Sequence, residues 1–138
     1  MSSNKNIVHF AAGAVTSLLI VLVYFWLNDK TEVATRKKVI MFGDSITQHG
    51  FNSDDGWVAG MADWWTCRVD VLNRGFSGYN TKWALKMVDS VVIAERPDLV
   101  FLFFGANDAV DPAEMQHVSI QTYRSNLIKI ITKINTVR

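Results

Sequence analysis

Three short apolar runs, Val39–Phe42, Val69–Leu72 and Leu99–Phe104, each stop at a loop of glycine and small polar residues, and the segments between them carry apolar residues at helical spacing. A short apolar run closed by a turn signal reads as a buried strand, and strands alternating with helices call for βαβ units around a parallel sheet. Right-handed crossovers then put helices on both sheet faces. The pattern predicts a three-layer α/β/α sandwich of the flavodoxin-like sort, reduced to about three parallel strands. Helices are expected over Trp57–Trp65, over Lys82–Ala94 with its end at Arg96-Pro97, and over Tyr123–Ile134 with Leu127, Ile128, Ile131 and Ile134 on the apolar side.

The loops carry the chemistry. Gly43-Asp44-Ser45-Ile46-Thr47 follows the first strand, Asn73-Arg74-Gly75-Phe76-Ser77-Gly78-Tyr79-Asn80-Thr81 the second, and Gly105-Ala106-Asn107-Asp108 the third. In open α/β sheets the carboxyl edge carries ligand sites, and a helix starting near Ser45 or Ile46 would point its free N–H groups and dipole at the same place. Asp-Ser is also a common helix N-cap, so the first loop alone is a weak signal. If the three strands are parallel neighbours, however, their loops converge. They then offer the Ser45 hydroxyl, the Gly78 N–H and the Asn107 side-chain amide around one substrate carbonyl, a nucleophile with an oxyanion hole.

In order and spacing, Gly43-Asp44-Ser45, Gly78 and Gly105-Ala106-Asn107-Asp108 resemble the ordered blocks of the SGNH (GDSL-type) hydrolase family, and the stretch from Gly43 to Asn107 is most similar to its isoamyl-acetate-hydrolysing esterase branch. The resemblance covers roughly Lys38 to Ile134. It implies that Ser45 is the nucleophile and its N–H the first oxyanion donor, with the Gly78 N–H and the Asn107 amide as the others. The family also has a later Asp-x-x-His block that supplies the catalytic base and its orienting carboxylate, and no Asp-x-x-His occurs in this sequence. The chain is therefore expected to be a C-terminally incomplete member, a partial hydrolase domain over 38–138.

Local substitutes for that base are poor. His117, in Glu114-x-x-His117, falls in the region after Asn107 and reads as a solvated or substrate-loop histidine. His49 is one turn beyond Ser45, on the helix surface and not in front of its N-terminus. His9 lies in the N-terminal apolar stretch. Asp44 and Asp108 invite a Mg²⁺ reading, but the second ligand of an Asp-x-Asp pair is missing, so hydrogen bonding to loop amides is the expected job. Cys67 is the one cysteine, which excludes an internal disulfide and leaves a small buried hydrophobe as its expected role. No cofactor or metal is expected.

From Ile7 to Leu27 about 21 residues run without formal charge, close to the roughly 20 that span a bilayer core, with Tyr24 and Trp26 at the far end. Residues 1–28 are expected to be a single-pass anchor binding the lipid bilayer through 7–27, followed by a charged linker over 29–37. A cleaved signal peptide competes, but its only exit, Glu32-Val33-Ala34, puts a charge where a small residue is preferred. Lys5 alone precedes the stretch while Lys30, Arg36, Lys37 and Lys38 follow it, which favours a cytoplasmic domain. A net charge of +1 with interspersed signs gives no field for nucleic acid.

Two functions are expected from this reading. One is a membrane-anchored serine esterase acting on small or medium acyl esters. The other is an inactive truncated isoform that keeps nucleophile and oxyanion hole but lacks the base. Either way, a sheet of so few strands leaves an exposed edge, so association through that edge is expected.

Overall fold

The structure, a computed structural model, describes residues 36–52 and 55–136. Its centre is β1 (Lys37–Gly43), in which Val39, Ile40, Met41 and Phe42 are all buried. Four consecutive apolar residues in a strand have to be covered on both faces, and β1 is the middle strand of a three-stranded sheet. β2 (Val69–Gly75) and β3 (Leu99–Phe103) pair with it in parallel on either side. The register sets Gly43 beside both Gly75 and Phe103, so the three strands end level and the loops after them leave from one edge.

Alternation along the strands divides the core into two layers. Ile40 and Phe42, with Leu72, Val100, Leu102 and Phe104, face the helices α3 (Thr81–Val91) and α4 (Ile120–Asn135), where Ala84, Val88, Val92 and Ile130 complete the packing. The Phe42 ring meets Phe104 edge-on with centroids 4.9 Å apart, an arrangement that suits the ring quadrupoles. On the other face Val39, Met41, Val69 and Val71 pack under α2 (Trp57–Trp64) through Val58, Met61 and the following Trp65. This second layer reaches β3 only through Trp57 and Trp65, whose ring centroids lie 6.3 Å from those of Phe103 and Phe101, and Leu99, Phe101 and Phe103 remain 45%, 37% and 51% exposed. The α/β/α architecture with three parallel strands is as the sequence predicts.

Several details depart from the sequence reading. β2 continues through Asn73-Arg74-Gly75, taken from sequence as loop, because tertiary partners compensate its polar side chains: Asn73 Nδ2 donates to Thr47 O at 2.8 Å and Arg74 Nη2 to Glu95 Oε1 at 2.9 Å. α4 starts three residues before the expected Tyr123, at Ile120, where the Ser119 side chain caps the Thr122 N–H. Its buried residues are Asn126 and Ile130, and Ile128 and Ile131 of the expected apolar side are exposed. Cys67 is exposed in the turn after α2 at φ 65°, so the buried role expected for it is wrong.

The expectation of a single-pass membrane protein is also corrected: among the described residues no helix is long and apolar enough to cross a bilayer. The stretch 7–27 that carried it, the alternative signal peptide, the 1–28 anchor and most of the 29–37 linker lie outside the described residues. Neither bilayer binding nor a membrane side for the domain is carried further.

Candidate active site

The first loop turns from β1 into α1 (Ser45–Gln48), a single turn of helix. Asp44, buried, caps it by accepting the Ile46 N–H at 3.0 Å, and Ser45 is the first helical residue. So few peptide units sum to a small dipole, and anion binding here rests on individual N–H groups. The Ser45 N–H has no backbone partner among the described residues. Gly43 is needed behind it, since a Cβ there would run into Thr47 Oγ1 and the Phe103 carbonyl oxygen.

The second loop is fastened to the first. Phe76 N donates to Gly43 O at 2.8 Å, Asn73 Oδ1 accepts the Gly75 N–H at 2.8 Å, and Ser77 N donates to Gln48 Oε1 at 2.7 Å. Chain contact is close enough that a Cβ on Gly75 would strike the Gln48 backbone nitrogen. Gly78 takes φ 78°, and a Cβ on it would meet nothing within 4 Å. Its glycine is thus explained by backbone conformation facing open space, and its N–H, like that of Ser45, has no backbone partner among the described residues.

The third loop joins the second. Asn107 Nδ2 donates to Tyr79 O at 2.7 Å, next to Gly78. An amide NH₂ has two hydrogens, so this bond orients the group and leaves the second N–H to donate elsewhere. Asp108, buried, accepts from the Thr81 N–H and hydroxyl at the start of α3. Both aspartates thus take side-chain hydrogen bonds of the sort expected for them, and among the described residues no group of three or more His, Cys, Asp or Glu stands together.

Ser45, Gly78 and Asn107 therefore sit on three mutually bonded loops at one sheet edge. The histidines are not joined to them. His117 is held by a 2.8 Å hydrogen bond between its Nδ1 and the Val110 carbonyl, and His49 is exposed in the short 3₁₀ turn after α1. Sequence reading missed Gln48, Thr81 and Asn126 as members of the supporting network. Asn126 was findable, as a polar residue interrupting the apolar periodicity of α4; nothing in the sequence marks Gln48, whose bond to Ser77 crosses two loops.

Comparison with known proteins follows the same lines. The model of the GDSL-like lipase/acylhydrolase family matches residues 41–137. An Arabidopsis thaliana GDSL esterase/lipase is 46% identical over 106 residues, covering 70% of this chain and 44% of the relative. The human isoamyl acetate-hydrolyzing esterase 1 homolog is 40% identical, covering 72% and 42%. The solved acetyl xylan esterase AlAXEase superposes with a TM-score of 0.66 at 26% identity, over 72% of this chain and 53% of that one. A lipase/acylhydrolase from Enterococcus faecalis gives 0.58 at 33% identity, over 73% and 53%. The chain thus spans less than half the length of the curated relatives it matches. With the family model covering both layers of the core and all three loops, the chain belongs to the GDSL-like lipase/acylhydrolase family.

Proposed function

We propose that the chain carries the nucleophile and oxyanion hole of a serine-dependent carboxylic ester hydrolase. The observation that carries the reading is the convergence of Ser45 with two further donors, the Gly78 N–H and the Asn107 amide, on loops tied to one another by hydrogen bonds. Ser45 Oγ attacks the ester carbonyl carbon as its proton passes to solvent water, from which the leaving alkoxide later takes one. The carbonyl oxygen gains the negative charge and accepts from the Ser45 N–H, the Gly78 N–H and the free Asn107 N–H. Collapse expels the alcohol and leaves an acyl-serine, which water cleaves to the acid. Donors held in place before reaction need no reorganisation as the charge develops, which is why such a hole accelerates the step.

Small esters with short acyl groups are the proposed substrates. The printed names of two relatives, one acting on isoamyl acetate and one on acetyl xylan, support an acetyl-sized group. The Ser45 hydroxyl also needs a proton acceptor. Neither histidine among the described residues is hydrogen-bonded to it, and His117 Nδ1 is already engaged by Val110. Oxyanion hole and binding alone supply about 10³–10⁴ over water in a hydrolase whose base is removed, and this is the acceleration expected of the 138-residue chain by itself. Association through the free edge of β3 is proposed alongside, since Leu99, Phe101 and Phe103 are exposed there.

The test is p-nitrophenyl acetate hydrolysis by the folded chain and two variants. Ser45→Ala is expected to lose the acetyl-protein that mass spectrometry finds during turnover by the unsubstituted chain, and Asn107→Ala to lower turnover about 10²-fold. Acetyl-protein that survives in Ser45→Ala would refute the assignment.

A further inference from the structure

Gly78 and Asn107 lie on different loops, and the proposed chemistry needs their donors to hold a fixed separation. Two hydrogen-bonded rungs join these loops side by side, and Asn80 Nδ2 adds a third bond farther along, to Gln116 O at 2.7 Å. One is Asn107 Nδ2 to Tyr79 O at 2.7 Å. The other joins the residue after Asn107 to the second residue after Tyr79: Asp108, 3% exposed, accepts the Thr81 N–H at 3.0 Å on Oδ1 and 3.1 Å on Oδ2, and accepts the Thr81 hydroxyl at 2.5 Å.

The second rung is anchored from behind. Asn126 of α4, 6% exposed, donates its Nδ2 to Thr81 Oγ1 at 3.1 Å. The hydroxyl thus accepts from Asn126 and gives its one hydrogen to Asp108. Asp108 O also accepts the Val118 N–H at 3.0 Å, which ties the far end of the third loop to the same residue. A single rung would leave the loops free to pivot about it; two adjacent rungs remove that freedom.

We propose that Asp108 is the positioning residue of the oxyanion hole: with Thr81 and Asn126 it locks the Gly78 loop to the Asn107 loop and so fixes the geometry between the two donors. It touches no reacting atom. The catalytic part of this inference rests on the esterase reading above, and the positional part does not. A misplacement of about 1 Å in such a group costs on the order of 10²-fold in rate, so Asp108 matters through Asn107.

The experiment reads each substitution across the network from the residue changed, in the full 138-residue chain. In Asp108→Asn, which keeps the side-chain size but sets an NH₂ against the Thr81 N–H, hydrogen exchange is measured at the Tyr79 N–H, which spans the Gly78 turn to Phe76 O. In Thr81→Val, exchange is measured at the Asn107 side-chain amide. Both are expected to quicken about tenfold while β1 amides keep their protection, and Thr81→Ser, which keeps the hydroxyl that Val removes, is expected to hold the Asn107 amide at its starting value. In parallel, the saturation rate of phosphonylation at Ser45 by a fluorophosphonate is expected to fall about 10²-fold in Asp108→Asn and Thr81→Val with the half-saturating concentration unchanged. Unaltered exchange at Tyr79 and Asn107 in folded variants would overturn the proposal. If the unsubstituted chain showed no phosphonylation yet exchange quickened as expected, the positioning role would stand and the esterase reading alone would fall.

Discussion

At the scale of single residues the site depends on backbone conformation as much as on reactive groups. Gly78 has φ 78°, a region that costs an L-residue roughly 1–2 kcal/mol, and nothing around it would clash with a methyl group. Gly78→Ala is therefore expected to lower stability by about 1 kcal/mol in chemical denaturation while lowering ester turnover by more than that loss explains. Gly75 differs: its would-be Cβ meets the Gln48 backbone, so Gly75→Ala is expected to push α1 away from β2 and to cut the soluble, folded yield. The identity of Ser45, Gly78 and Asn107 as candidates was legible from sequence because each follows a strand-like run. The buried support beneath them was not. Thr81 and Asn126 meet across the separation between α3 and α4, and no local pattern encodes that contact.

At the scale of elements, the strands and their order followed from apolar runs and turn residues, whereas their extents followed from tertiary contact. β2 runs on through Arg74 because Glu95 waits for its guanidinium, and Lys38 Nζ approaches the same carboxylate at 3.3 Å. The Arg74 hydrogen bond, followed by that of Lys38, holds the Glu95 carboxyl below its ordinary glutamate range. A carboxyl lowered in this way contributes stability above its ordinary value, and that contribution disappears as pH falls through the lowered one. Glu95→Gln is accordingly expected to lower the melting temperature at pH 8 and to converge with the unsubstituted chain toward the acid end, so that the acid limb of its profile is flatter. The carboxylate is about a third exposed, so added salt should shrink the difference. α4 shows the opposite error. Its apolar residues outnumber the positions that face the core, and Asn126, by pairing with Thr81, turns Ile130 inward and leaves Ile128 and Ile131 outside. Ile130→Ala is expected to cost about 2–5 kcal/mol in urea unfolding, and Ile128→Ala little.

At the scale of the molecule, β3 is built like an interior strand but stands at an edge. Leu99, Phe101 and Phe103 are partly exposed on one face, and a groove lined by Val100, Leu102, Ile131 and Ile134 runs along its other side. Unpaired backbone beside exposed aromatic rings is a template for pairing with another chain. Sedimentation velocity is expected to show concentration-dependent self-association, reduced by Phe101→Lys; a monomer at all concentrations would count against it. The central claim concerns Ser45, and labelling by a fluorophosphonate probe reads it most directly, because the probe is captured covalently at the serine oxygen with its phosphoryl oxygen in the oxyanion hole. The account predicts labelling of the folded chain that is lost in Ser45→Ala and falls about 10²-fold in Asn107→Ala. A folded chain that stayed unlabelled, or labelling that persisted in Ser45→Ala, would contradict it.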